Sequence, residues 1–241
     1  MSNIAIIAAL DRELAPLVRE WKSVSFTHDG RSFRTFQAAE RVAISAGIGC
    51  RAAQTATRAV VAQYRPQVLI SAGLAGALIH SLRVGNVITP NVIVDAATGK
   101  EYRSETGGGI LVTAPEIATS ASKPELVEKF HALAVDMEAA AVAEIAEKAG
   151  ISFRCVKAIS DDAAFVMPPL KQFVDAEGKF QNGRFAAWAA VRPQWWPRIM
   201  ALMRNSNRAA EALCQWLRQN AVNSINPGTM VELGRSRPLP E

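Results

Sequence analysis

Three carboxylates each stand at the end of an apolar run. Glu13 comes just after Ile4–Ala9, Glu138 just after Ala134-Val135-Asp136-Met137, and Asp161 just after Phe153–Ile159. Carboxyl groups whose surroundings hold their pKa values apart can serve one site as acid, base and hydroxyl-binding group. Cleavage of a glycosidic bond asks for that set: charge builds at the anomeric carbon while a leaving group is protonated and a nucleophile delivered. Each residue also has a purely structural reading. Glu13 and Glu138 suit a first helical turn, where the dipole favours acids, and Asp161 suits a helix N-cap. Yet a Glu between Met137 and an all-alanine run is an odd choice for solvation alone, and a cap has no need of a strand's carboxyl end.

The elements that must position these residues can be read from hydrophobic patterning. Ile4–Ala9, Val68–Ser71 and Phe153–Ile159 read as strands buried on both faces. Ser32–Phe36, Arg41–Ser45, Val87–Thr89, Val92–Val94 and Ala134–Met137 read as further extended segments. Helices are expected over Leu14–Trp21, from Arg51 to about Gln63, over Leu126–His131 and from Glu138 to Lys148. Ala72–Ala77 reads as a small-residue turn, and Lys100–Gly109 as an exposed polar loop. Strand-turn-helix units repeated in this way predict an α/β fold: a single domain with a central mixed, mostly parallel twisted sheet flanked by helices, plus an extra helical C-terminal section. That domain is expected over residues 1–222, its C-terminal helical section starting near 183, with a flexible tail over 223–241.

Composition narrows the class. Of 241 residues, 49% are hydrophobic and 20% charged, the balance of a globular protein rather than a disordered one. No apolar run reaches the length of a membrane span. The start of the chain reads as a strand rather than a signal peptide, which predicts a cytoplasmic protein. Cys50, Cys155 and Cys214 lack metal or disulfide spacing, and His28, His80 and His131 are isolated, so neither metal nor cofactor is expected. The net charge of +5 is concentrated late, with six arginines and only Glu211 as an acid between Gly183 and Gln219. Trp188, Trp195, Trp196 and Trp216 lie among those arginines. Indole and guanidinium together suit a membrane interface, and an amphipathic helix packing Trp inward is the plainer alternative. No helix-turn-helix or RNA-binding signature accompanies the charge, so nucleic acid is not an expected partner.

The segments Ile4–Glu13, Ala46–Gly49, Ser71–Gly76, Val84–Val87, Val135–Ala140 and Lys157–Asp161 occur in the order seen in methylthioadenosine/S-adenosylhomocysteine nucleosidases. Over roughly residues 4 to 165 the chain therefore resembles that branch of the purine nucleoside phosphorylase/uridine phosphorylase superfamily. VDMEAAAVA and KAISD are the most specific pieces. The resemblance implies cleavage of the N-glycosidic bond of a purine nucleoside, with Glu13 activating water. It implies Glu138 on the ribose hydroxyls, Met137 packed on the sugar, and Asp161 protonating purine N7 with support from Ser160. Lys157, where the family usually has Arg, would help hold Glu13. Ile48, Leu74, Ala75 and Gly76 would complete the substrate-binding wall, and a homodimer is implied.

The chain also departs from the pattern. Leu74 replaces a usual Ser, Asp161 lacks the second acid that commonly comes three residues later, and the stretch from Val94 to Val135 is short. The base-contacting residues are expected within Thr119–Lys123. Leu74, Ala164, Phe165, Val166 and Met167 together suggest an apolar 5′ side. With the Trp/Arg-rich tail, this is similar to the hopanoid-associated phosphorylase-like subgroup. That likeness implies removal of adenine from adenosylhopane, whose 5′ position carries a lipid, with peripheral contact at the inner face of the membrane. Two alternatives stay open. A phosphate-dependent phosphorylase would draw on Arg12, Arg51 or Arg83, although a carboxylate at the nucleophile site repels phosphate. An inactive nucleoside-binding or basic nucleic-acid-binding protein is the other.

Overall fold

A computed structural model describes residues 3–105 and 107–220. The expected tail over 223–241 lies outside them. The strands are β1 (Ile4–Ala8), β2 (Lys22–His28), β3 (Arg31–Ala38), β4 (Arg41–Ser45), β5 (Val68–Ala77), β6 (Val87–Ile88), β7 (Val92–Asp95), β8 (Glu101–Arg103), β9 (Ile110–Thr113), β10 (Ala134–Asp136) and β11 (Ser152–Asp161). The α-helices are α1 (Asp11–Val18), α2 (Cys50–Tyr64), α3 (Lys123–Phe130), α4 (Ala139–Ala149), α5 (Asn182–Ala190) and α6 (Trp196–Asn220).

The strands of the described residues join one mixed sheet in the order β2-β3-β4-β1-β5-β10-β9-β7-β8, with β11 pairing β5 and β6. Its centre is parallel. β1 lies between β4 and β5, and β5 also pairs in parallel with β11. Antiparallel pairing is confined to the β2-β3-β4 and β7-β8 edges, the short β6, and the seam where the end of β5 meets β10. The apolar runs are β-strands because both their faces are covered: all five residues of β1 are buried. One face packs against α2 and α4 through Ala53, Ala56, Val60, Val142 and Ala146. The other packs against α1 and α6 through Leu14, Leu17, Ala209, Leu213 and Leu217.

Two segments differ from the sequence-based expectation. Ala72–Ala77, expected as a turn, continues β5 to ten residues. Its small side chains serve as a wall: a Cβ added at Gly76 would sit 2.9 Å from Asp161 Oδ2, and one at Gly73 would sit 3.1 Å from Glu13 Oε2. Lys100–Gly109, expected as a loop, contains β8, whose polar residues pair with β7 at the sheet edge. The C-terminal section is helical. A 3-10 turn over Pro193–Trp195 joins α5 to the 25-residue α6.

Candidate active site

β5 pairs with β11 along its length, and a register shift between Ile159 and Asp161 brings Asp161 opposite Gly76. β10 ends beside the same stretch of β5, which places Met137 and Glu138 next to it. Glu13 arrives from the first turn of α1 and is folded back, its Oε2 accepting from the backbone N–H of Ala9 at 3.1 Å and of Leu10 at 3.4 Å. Glu13, Glu138 and Asp161 thus line one cavity of about 170 Å³. Ile48, Leu74, Ala75, Gly76, Met137 and Ser160 line it with them.

The three carboxyl groups sit in different surroundings. Burial pushes Glu13 above the usual carboxylate range, while the Lys157 charge and the N–H groups of Leu10 and Ala9 pull it back. Glu138 Oε1 accepts from the Gly49 N–H at 2.7 Å, and Oε2 accepts from the Met137 N–H at 3.3 Å. Burial, and then the neighbouring Asp136 carboxylate, push Glu138 up to about 8. Asp161 Oδ1 accepts from the Ser160 hydroxyl at 2.8 Å, and Oδ2 faces the Lys123 ammonium at 2.7 Å.

Lys157 does not line the cavity. Its ammonium lies 2.8 Å from Asp136 Oδ2 and donates to the Ser71 hydroxyl at 3.1 Å, so its ion pair is with Asp136 rather than Glu13. A lysine has no guanidinium fork with which to hold two carboxylates at once. Burial pulls its pKa down, but Asp136 and the other nearby acids more than reverse this and keep the ammonium charged. Asp136 is a member of the site that the sequence reading misses, though an acid inside a buried triplet is its signal. It also accepts from the Thr113 hydroxyl at 2.7 Å and the Ala139 N–H at 2.9 Å, which anchors the start of α4 beneath Glu138.

The segment expected to contact the base reaches the cavity only in part. Of Thr119–Lys123 only Lys123 lines the cavity, joined by Glu116, Ile117 and Ala118. Of the three arginines considered for phosphate, Arg12 reaches it, whereas Arg51 and Arg83 line neither this cavity nor the larger one beside it. That larger space, about 770 Å³, shares Leu10, Ile48, Ile117, Leu170 and Leu202 with the first. Its walls combine Phe33, Phe180, Phe185 and Met203 with the charged Arg31, Arg34, Glu177 and Lys179. Among the described residues, no group of three or more His, Cys, Asp or Glu is disposed to hold a metal ion. Burial pushes the Cys50 thiol, beside the site, up to about 12, so it is held as the thiol.

The Glu138 shift has a checkable sign. A carboxyl whose folded pKa lies above its unfolded value holds a proton that the unfolded chain releases, so stability falls as pH rises between the two. For Glu138 that window runs from 4.5 to about 8. Thermal melts of the ligand-free protein should show Tm declining across it relative to Glu138→Gln. A ligand whose hydroxyls donate to Glu138 favours the ionised form, so its binding should release a proton, read by calorimetry in buffers of different ionisation enthalpy. No difference between the two proteins across this window would mean that Glu138 is already ionised.

The "Phosphorylase superfamily" model matches residues 3–115 and 91–187. Among curated proteins, the 5′-methylthioadenosine/S-adenosylhomocysteine nucleosidase of Geobacillus sp. (strain WCH70) is 26% identical over 216 residues, covering 73% of this chain and 93% of the relative. That of Bacillus subtilis (strain 168) is 28% identical over 199 residues, covering 67% and 86%. Among solved structures, Helicobacter pylori 5′-methylthioadenosine/S-adenosylhomocysteine nucleosidase superposes with a TM-score of 0.69 at 15% identity, over 91% of this chain and 97% of the other. The futalosine hydrolase of Helicobacter pylori gives 0.69 at 16% identity, over the same shares. At those identities the structural likeness establishes the fold.

Proposed function

Because the chain belongs to the phosphorylase superfamily, and with its relatives is an enzyme of the nucleosidase or nucleoside phosphorylase kind, we propose that it hydrolyses the N-glycosidic bond of an adenine nucleoside with a bulky apolar 5′ group, adenosylhopane being the substrate the sequence resemblance suggests. The observation that carries this reading is the cavity that gathers Glu13, Glu138 and Asp161 and adjoins a much larger space, charged at Arg12, Arg31, Arg34 and Lys179 but apolar along Phe33, Phe180, Phe185, Ile199 and Met203. Purine binds at the Asp161 end, where the proton for the leaving base is held. Glu138 accepts hydrogen bonds from the 2′- and 3′-hydroxyls, and Met137 packs on the sugar. Glu13, its carboxyl raised by burial, takes a proton from the attacking water. The 5′ group then points past Leu10, Ile48 and Leu202 into the 770 Å³ space, which a methylthio group would leave mostly empty. The test is adenine release from 5′-methylthioadenosine and from long-chain 5′-alkylthio analogues. Higher kcat/KM for the long chains is expected; a preference for the methyl compound would reduce the reading to a plain nucleosidase, and no release from any would remove it.

Entry of a lipid substrate from a membrane belongs to the same proposal, with the protein cytoplasmic and peripheral at the inner face. No helix among the described residues is long and apolar enough to cross a bilayer. The four late tryptophans divide. Trp188 and Trp195 join an aromatic cluster with Phe173 and Phe185, and Trp216 packs on the core. Trp196, Met200 and Met203 are 51%, 58% and 56% exposed on one helical face, and Met203 also lines the large space. Arg192, Arg198 and Arg204 are nearby in sequence. Binding to anionic liposomes should weaken with added salt, because lipid headgroup attraction is screened. Trp196→Ser with Met200→Ser should weaken it further while sparing short soluble nucleosides. Indifference of the intact protein to such liposomes would sink the membrane arm. Sedimentation would test the implied homodimer and show whether a second copy covers this face instead.

A further inference from the structure

Lys123 opens α3 with its side chain almost wholly buried. Its ammonium lies 2.7 Å from Asp161 Oδ2 and donates to the Asp162 carbonyl oxygen at 2.7 Å, which uses two of its three protons. The Ser160 hydroxyl donates to the other Asp161 oxygen, so each carboxylate oxygen already has a hydrogen-bond donor, and the third Lys123 proton is the one left facing the cavity. Lys123 lines the small cavity together with Glu13 and Glu138. Stability alone is a poor reason for such a pair, since desolvating two charges can cost as much as their attraction returns.

We infer that Lys123 carries the proton that leaves with the base and that Asp161 holds it in place, an assignment that rests on the nucleosidase reading. As the bond from C1′ to the base breaks, its electron pair goes to the purine. The third Lys123 proton passes to a purine ring nitrogen, and the resulting neutral amine keeps its hydrogen bonds to Asp161 and Asp162. Water bonds to C1′ and gives its proton to Glu13. Once the products leave, that proton returns to Lys123 through solvent, and the cycle closes with one water consumed. A purine anion and an alkylamine are bases of similar strength, so the transfer is nearly balanced and suits general acid catalysis. The charged groups around this step are Asp161 on β11, Glu138 before α4, Glu13 and Arg12 on α1, Glu116 ahead of α3, and the Asp136–Lys157 pair behind them.

The test compares an adenine nucleoside with p-nitrophenyl β-ribofuranoside, whose leaving group needs no proton. Lys123→Met should lower adenine release by about 10²–10⁴-fold and nitrophenol release far less. Lys123→Arg keeps the charge and can still pair with Asp161, but guanidinium does not give up a proton. Adenine release should therefore stay as low as in Lys123→Met. Adenine release restored by Arg would overturn the assignment and leave Lys123 a positioning residue. Equal loss of both substrates in a folded Lys123→Met protein, judged by its Tm, would overturn it too. Should the Met variant fail to fold, the Arg variant decides alone on the same two substrates. A wild-type protein that releases nitrophenol but no adenine would remove this assignment and leave glycoside hydrolysis standing. Release of neither would remove the nucleosidase reading itself.

Discussion

Glu13→Gln lowers adenine release by about 10²-fold or more while nucleoside binding stays close to normal. The carboxyl is held by two backbone N–H donors, from Ala9 and Leu10, both on Oε2. An amide oxygen accepts the same two bonds, so the start of α1 keeps its geometry and the cavity its shape. What is lost is the basic oxygen. Burial raises Glu13 toward the range where a carboxylate can take a proton from water, and Lys157 keeps it from rising too far. Glutamine cannot take that proton at all. The measurement is kcat for adenine release beside the Kd of a non-cleavable analogue. Phosphorolysis makes the opposite demand, because the negative charge of Glu13 repels a phosphate nucleophile. In that case Glu13→Gln would retain or gain activity, the rate would depend on added phosphate, and the sugar product would be a ribose 1-phosphate. Arg51 and Arg83 line neither cavity, which leaves Arg12 as the only one of the three candidate phosphate arginines within reach.

The site is more legible in the sequence than the sheet that carries it. Ile4–Ala8, Val68–Ile70 and Phe153–Ile159 announce themselves because a strand covered on both faces must be apolar at every position. β2, Lys22–His28, has an alternating half-exposed pattern without a long apolar run, and its structure comes from non-local pairing with β3. β8 is short and buries only Tyr102, with Glu101 and Arg103 exposed at the sheet edge. The extension of β5 through Ala72–Ala77 is hidden because small residues carry no periodicity; they are small to admit the Glu13 and Asp161 carboxylates at their Cβ positions. Lys123 is the hardest to read. Nothing in SKPELVEKF distinguishes a lysine that turns inward from one that solvates a helix start. Only the register between α3 and the end of β11 brings it to Asp161.

That contact changes what removal of Asp161 should do. Asp161→Asn lowers adenine release by about 10²–10⁴-fold, and it does so with a measurable loss of stability as well. The asparagine oxygen turns toward the Lys123 ammonium, since the alternative sets the amide N–H groups against three ammonium protons. The amide nitrogen then faces the Ser160 hydroxyl, which rotates to accept from it and to donate to the Ala75 carbonyl, 3.3 Å away. The amide oxygen, one amide N–H and the Ser160 hydroxyl each keep a partner, so the fold persists. Lys123, however, is left buried and charged without a counter-ion, and removing one member of such a pair costs about 3–5 kcal/mol. Without the Asp161 carboxylate the ammonium is no longer held toward the leaving base, so proton delivery fails even though the fold persists. The double change Asp161→Asn with Lys123→Met removes both charges, so it should recover much of the lost Tm without recovering adenine release. A single Asp161→Asn protein with normal Tm would show that the pair does not form in solution. Normal turnover in that variant would show that neither residue handles the proton of the leaving base.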